Sequence, residues 1–291
     1  MNYFTLDGRS TTEWGIGLSA GGAYDAPARK GESISVPGRN GNIWVDGGSF
    51  ENILLTYPCW MSEGFDANID DFREFLSGHS DDYYVLADTY HPGEHRLARY
   101  AGAFTAEPGT RNKSGRMDVT FDCMPQRFLA EGNAWREIEI PSTVVTVTGV
   151  NIFQEQNPTV FDAMPVICFQ SSTASTVEFS MSSYLYKYTP SFSKYVKNNV
   201  YISGVEANKY YYLDTQTLVC YVGTAPNVEN WKSLSVADVS VEIREAAAPL
   251  GIYLNYELKL YSGMNTITNL NRAASPTNLT YFAILTRYWT V

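Results

Sequence analysis

Over most of the first 130 residues, apolar side chains recur at every second position. The segments NYFTLDG, SISVPGRNGNIWV and ENILLTYPCWM alternate in this way and are separated by Gly, Asn and Asp. Period-two alternation bounded by turn formers predicts β-strands. Within the second segment, Pro37-Gly38-Arg39-Asn40-Gly41-Asn42 joins Ile34 and Val36 to Ile43 and Val45. Asn-Gly tolerates positive φ at both positions, so the segment predicts a hairpin. One segment cycles at 3.6 instead: FDANIDDFREFLSGHS. It predicts a helix with Asp66 or Asn68 as cap, a stripe of Ile69, Phe72, Phe75 and Leu76, and Gly78 closing the end. Alternation then returns. Tyr84, Leu86 and Asp88 share one parity, Arg96, Ala98 and Tyr100 the next, and Met117, Val119, Phe121 and Cys123 a third. One helix covering a sheet of seven or eight strands is an α+β, sandwich-like domain, and it is assigned to residues 1–130.

The strand rhythm breaks across QRFLAEGNAWREIEIPS, from about residue 125 to 141, and 131–141 are assigned to a linker. Beyond it, TVVTVTG, PVICFQSS, TVEFSMSS, YYYLDTQTLVCYVG, VSVEIRE, GIYLNYELKL and YFAILTRYWTV alternate again. Residues 142–291 therefore read as a second domain, all β, with seven to ten short strands in a sandwich or jelly roll. The chain as a whole is mainly β. In the Tyr-rich stretch of this second domain, Tyr184, Tyr186 and Tyr188 share a parity. They form one face of a strand or a surface on which sugar rings stack.

Composition supports sheets over helical bundles. Aromatics make up 14% of the 291 residues, with 21 Tyr, and charged residues only 18%. The N-terminus MNYFTLDGRS has neither a basic region nor an apolar stretch, and the longest apolar run, around AMPVICF, is far short of a membrane span. No signal peptide and no membrane insertion are expected. Cys59, Cys123, Cys168 and Cys220 are widely spaced with no CxxC pair, which suits buried free thiols in a reducing compartment. The sequons at Asn112 and Asn278 matter only in a secretory pathway. Net charge is −10; residues 1–130 hold 18 acidic and 11 basic side chains, the remainder 13 and 10. Without a basic cluster, a phosphate-gripping nucleic-acid interface is disfavoured. An acidic surface does suit a wall past which DNA slides without sticking.

One string does invite a catalytic reading. His91, Glu94 and His95 spell H-x-x-E-H, a zinc-protease signature. Two histidines four apart share a metal only on one face of a helix, and Pro92 and Gly93 stand between them. Proline removes a helical hydrogen bond and glycine adds backbone entropy. With strand-like runs on both sides, the string is a turn. His79 is the one other histidine. The pairs Asp70/Asp71 and Asp81/Asp82 flank the helix, where its dipole and solvation account for them. No G-x-S-x-G elbow, phosphate loop or dinucleotide fingerprint occurs. No enzymatic activity and no cofactor are expected. Trp14, Trp44 and Trp60 are expected in the core, Asp88 is expected to bond turn amides, and Arg287 and Trp289 to support packing.

Taken in order, these segments resemble the distal tail proteins (Dit) of long-tailed bacteriophages. The N-terminal pattern of that family is met by Pro37, Gly38, Arg39 and Gly41, then a helix, then Leu86, Asp88 and Pro92, then Cys123 and Pro125. In the second half the resemblance lies in Leu260, Gly263, Asn265 and Ile267, followed by Arg287, Tyr288 and Trp289. Tyr288 stands where an additional tryptophan is frequent, and the Tyr-rich stretch from about 182 to 200 is longer than the usual spacing. The resemblance covers nearly the whole chain. It implies a non-enzymatic virion protein at the tail tip, assembled in the host cytoplasm. Such proteins form a homo-hexameric ring of N-terminal domains around the DNA channel, between the tail tube protein and the tail-associated hub protein. Their galectin-like C-terminal β-sandwich points outward and can dock receptor-binding proteins. Arg39, Asn40, Asp88 and His91 are candidates for the ring interface. Tyr184, Tyr186 and Tyr188 are candidates for outward docking or, under the alternative of a carbohydrate-binding module, for host cell-wall glycans. A galectin-like fold alone does not carry galectin function.

Overall fold

The computed structural model describes residues 1–19, 22–138, 140, 150–185, 194–245, 258–269 and 279–291. Its contacts divide the chain into two compact units, Met1–Ala130 with Val291, and Glu131–Thr290.

In the first unit, strands β1 (Phe4–Leu6), β2 (Arg9–Ser10) and β3 (Ile16–Leu18) precede a long hairpin, β4 (Arg29–Ile34) and β5 (Ile43–Phe50). Then follow β6 (Ile53–Met61), α1 (Phe65–Ser77), β7 (Tyr84–Asp88), β8 (Glu94–Tyr100), β9 (Thr105–Pro108) and β10 (Gly115–Leu129). The main sheet runs β2-β1-β7-β8-β10-β6-β3, with β9 also on β10. All described pairings in it are antiparallel. Alternation decides its inner face. Leu55, Tyr57, Cys59 and Met61 on β6 and Met117, Val119, Phe121 and Cys123 on β10 are buried, with Tyr57 opposite Val119. Phe72 and Leu76 of α1 are fully buried in the same core. Phe65 packs so closely on Gly115 that a Cβ there would stand 2.1 Å from its ring. Any larger residue at 115 would push the helix off the sheet.

Three expectations need correction. Neither Asp66 nor Asn68 caps α1: the N-cap is Gly64 at φ 74°, and no side chain bonds the first turn. Asn68 instead donates from Nδ2 to the Trp14 carbonyl at 3.4 Å. The strand rhythm does not stop at 125. β10 runs to Leu129 through an irregularity between Cys123 and Arg127, past which the next buried position on the same parity is Arg127 and not an apolar residue. Finally, of the three tryptophans only Trp14 is core. Trp60 has the parity of Leu54 and faces away from the helix, lying over Gly17, while Trp44 is 55% exposed.

The second unit contains β11 (Arg136–Glu137), β12 (Val150–Asn157), β13 (Val166–Ser171), β14 (Ser175–Leu185), β15 (Lys194–Val205) and β16 (Tyr210–Asp214). It continues with β17 (Val219–Gly223), β18 (Ser235–Val236), β19 (Ser240–Glu245), β20 (Gly263–Asn269) and β21 (Leu279–Leu285). They form two antiparallel sheets, β11-β21-β13-β16-β17-β18 and β12-β20-β14-β15-β19. Phe179 on one meets Phe282 on the other edge to face at 6.0 Å, as a β-sandwich requires. Part of the expected linker is built into this unit, since Arg136 and Glu137 pair with Ile284 and Ala283.

The residues of the second-half motif hold turns. Asn265 donates to the carbonyls of Tyr261 and Gly263 and accepts from the Tyr261 amide, all within 2.9 Å, while Gly263 takes φ 96°. Arg287 donates to buried Asp214 at 3.1 Å and to Gln216 at 3.0 Å. Trp289 donates to the Asp162 carbonyl and stacks on Phe161 at 4.4 Å. These contacts are the packing role expected of the closing residues.

All four cysteines are buried free thiols. Burial pushes Cys59, Cys123 and Cys220 up to about 12 and Cys168 to about 11, from an ordinary 9.0. An unfolded chain therefore releases these protons at lower pH than the folded one, so stability is retained below pH 9 and falls as pH rises toward 12. Urea midpoints measured at pH 8, 9.5 and 10.5 should drop at the two higher values, each thiol contributing up to about 1.4 kcal/mol per pH unit in that window. A midpoint unchanged across the series would contradict this.

Candidate functional site

The β4–β5 hairpin is the feature that the core does not explain. Its ladder pairs Ile34 with Ile43, Ser33 with Trp44 and Glu32 with Val45. Every described residue of both strands is exposed except half-buried Phe50. Ile34, Ile43, Trp44 and Val45 thus carry large apolar surface into solvent. Trp44 lies across Gly31, where a Cβ would stand 2.3 Å from its ring, so the backbone is flattened beneath the indole. Some of the charges on the hairpin are matched close by. Arg29 makes a bidentate pair with Asp46 at 2.8 and 2.6 Å, and Lys30 faces Glu51 at 3.7 Å. At the tip, Gly38 and Gly41 adopt φ 80° and 78°, and exposed Arg39 and Asn40 lie between them.

The root of the hairpin is held firmly. The Glu51 amide donates to the Ala28 carbonyl at 2.8 Å, and Asn52 donates to Tyr83 Oη and Asp122 Oδ1 at 2.7 and 2.9 Å. On the other leg, buried Arg127 donates to the Ala23 carbonyl at 3.1 Å. Tyr24 sets its ring against His91 at 5.0 Å and Tyr90 at 6.0 Å.

That contact places Asp88 and His91, predicted from a separate motif, behind the hairpin root. Asp88 Oδ1 accepts the Tyr90 and His91 amides at 2.9 and 3.0 Å and lies 3.3 Å from His91 Nδ1. Its Oδ2 accepts the hydroxyl of fully buried Tyr57 at 2.7 Å. Burial, then the Asp88 charge, raises the Tyr57 phenol above its usual range, so it stays protonated and donating. The expected turn is present between β7 and β8. His91 joins Asp88, whereas His95, on β8, stacks on Phe128 at 5.5 Å, and burial lowers its pKa. The structure brings Asp88 and His91 together; Arg39 and Asn40 stand at the far end of the hairpin. Tyr184 pairs with Tyr195 in the β14–β15 ladder, and Tyr186 and Tyr188 lie outside the described residues.

Sequence reasoning missed Trp44 and Trp60 as surface features. On the outward face of the main sheet, Trp60 borders an open depression of about 520 Å³ with Pro58, Thr105, Glu107, Arg116 and Asp118. Parity within ENILLTYPCWM was the available signal, since Trp60 sits in step with Leu54 rather than Leu55.

A helix-backed sheet that projects a solvent-facing hairpin, together with a β-sandwich unit, defines a two-module, mainly β fold. That fold is the one of the phage SPP1 Dit protein, a solved structure described as a paradigm of the hub adsorption apparatus in phages infecting Gram-positive bacteria. The likeness has a TM-score of 0.57 at 12% identity and covers 98% of this chain and 97% of that one. Two structures of the phage P2 baseplate in its activated conformation, with Ca and with Sr, show weaker likeness. Their TM-scores are 0.43 and 0.42 at 9% and 8% identity, each over 94% of this chain and 100% of the other. In sequence, the chain matches no family model and no curated protein.

Replacing Asp88 with Ala would leave the Tyr57 hydroxyl and two turn amides without their acceptor. Each buried orphan costs about 1–3 kcal/mol, so urea unfolding of the N-terminal unit should show a loss of at least about 2 kcal/mol. Asp88→Asn, which keeps an acceptor oxygen, should lose less. Equal losses for the two variants would show that the hydrogen bonds are not the cause.

Proposed function

We propose that this chain is a structural hub at the distal end of a long-tailed phage tail, with no catalytic role. Six copies close into a ring of N-terminal units that joins the tail tube protein to the tail-associated hub protein, and DNA passes through without specific binding. The C-terminal unit, as a galectin-like sandwich, is free to dock receptor-binding proteins. The supports are the full-length likeness to SPP1 Dit in fold and the run of motifs that resembles that family.

The observation that carries the assembly reading is the exposed row on β4 and β5. An isolated two-stranded ladder is marginal in water, and a contiguous apolar patch marks a surface that gains by being covered. In a closed ring each copy offers two different faces to its neighbours. The hairpin is one such face. For its counterpart we assign the outward face of the main sheet around Trp60, which is open, carries apolar surface and belongs to the same unit. Pairing of Arg29 with Asp46 within the hairpin lowers the charge that docking would have to desolvate at that end of the ladder. Asp88 and His91 act from behind, fixing the angle at which the hairpin leaves the core.

Light scattering and negative-stain imaging of the purified full-length chain should show six-membered rings. The double substitution Ile43→Ser and Trp44→Ser should shift the population to monomers while leaving the unfolding midpoint of the monomer nearly unchanged, because both side chains are exposed and neither belongs to the buried core of the N-terminal unit. A wild-type protein that stays monomeric at high concentration would overturn the ring. Rings that persist undiminished in the double variant would move the contact away from the hairpin.

A further inference from the structure

The tip of the β4–β5 hairpin brings together two residues whose chemistry the fold leaves unused. Asn40-Gly41 is the one Asn-Gly pair in the chain, and every other asparagine is followed by a residue that carries a side chain. Both residues are exposed. Gly41 sits at φ 78°, and the position that a Cβ would take there has no other atom within 4 Å. Its amide is therefore bare on the side where a side chain would shield it. Among the described residues, neither the Asn40 carboxamide nor the Gly41 amide has a hydrogen-bond partner. The turn bond at the tip stops short of them, running from the Arg39 amide to the Val36 carbonyl at 3.2 Å.

Comparable pairs nearby are guarded. Asn42 donates to Ser33 Oγ at 2.8 Å and precedes β-branched Ile43. Asn52 donates to Tyr83 and Asp122 and precedes Ile53. At Asp46-Gly47, Arg29 holds both carboxylate oxygens, and a Cβ on Gly47 would stand 3.0 Å from the Lys30 carbonyl oxygen. Asp7-Gly8 is as open as the tip, but a carboxylate is an anion and resists the nucleophile that a neutral carboxamide admits.

We propose that Asn40 is a deamidation site, at which the chain modifies itself. The Gly41 nitrogen gives up its proton and bonds Asn40 Cγ. The Cγ–Nδ2 bond breaks, and the amide nitrogen leaves as ammonia with that proton. Water then opens the cyclic imide at either carbonyl, to aspartate or to isoaspartate. No electrons are exchanged, and water is the one co-reactant. Either product sets a carboxylate beside Arg39 and takes the net charge from −10 to −11. Isoaspartate also lengthens the main chain by a methylene, shortly before Ile43 opens the ladder against Ile34. The site stands whether or not the copies form a ring.

The test is to age the purified full chain in mildly acidic and in mildly alkaline buffer and to map its peptides by tandem mass spectrometry. The fragment holding Asn40 should shift by the mass difference between NH2 and OH before any other asparagine does. It should shift faster in alkaline buffer, which removes the amide proton. Asn40→Gln, whose longer side chain closes a larger ring only slowly, should lose the shift. A free peptide PGRNGNIW aged alongside sets the unprotected rate, and the folded chain should approach it. The Ile43→Ser, Trp44→Ser variant is aged as well; a shift that is slow in the wild type and fast in this variant supports a reactive site that assembly covers. Asn40 intact in both proteins while the peptide is consumed, or earlier modification of another asparagine, would overturn the proposal.

Discussion

Two strands by themselves bury neither face, and β4 and β5 stand in that condition over their whole length. Everything else in the N-terminal unit has to supply the order that such a ladder lacks. The main sheet does so through its inner face, where one parity of β6 and β10 is closed over by Phe72 and Leu76 of the helix. Two hydrogen-bonded legs then transmit that rigidity, Asn52 to Tyr83 and Asp122 on one side and Ala23 to Arg127 on the other. The result is an apolar surface presented at a defined angle by a well-packed base, which suits rigid docking better than folding on contact.

Much of this was legible in the chain. Period-two runs located the inner face of β10 correctly, and the Asn-Gly tip located the hairpin, because both rest on local physics: the pleat and the ease of positive φ. The failures are equally local in origin. Trp44 and Trp60 were assigned to the core on residue type, since large aromatics bury well on average. Parity argues otherwise at Trp60, and a hairpin carrying apolar residues of both parities, Ile43, Trp44 and Val45, cannot bury them all against one core. The β10 extension was hidden because, past the irregularity, the next buried position on the same parity is Arg127 and not an apolar residue. The helix cap was misassigned because Asp66 and Asn68 have capping side chains, while the backbone used Gly64 at positive φ to turn directly into the helix.

The candidate site divides in the same way. Arg39 and Asn40 were singled out by a turn signal, and a turn is where they lie. Asp88 was expected to hold turn amides and does so, but the buried partner on its other oxygen, Tyr57, is 31 residues away on another strand. The contact of Tyr24 with His91 joins segments 67 residues apart. No spacing rule reaches across such distances, so the support of the hairpin root became visible only with the fold. The H-x-x-E-H string shows the converse. Its letters match a zinc helix, yet each member is consumed by a different neighbour, His91 by Asp88 and Tyr24, Glu94 by Arg127, His95 by Phe128.

The second unit uses its conspicuous residues differently. Asn265, Arg287 and Trp289 spend their polar atoms on carbonyls, amides and a buried carboxylate of their own unit. These contacts fasten turns and the closing strand of the sandwich. Arg287 does so at φ 54°, a conformation that a non-glycine residue holds only when its surroundings over-determine it, and its hydrogen bonds to Asp214 and Gln216 are that determination. A motif made of such residues records how the closing strand is fastened.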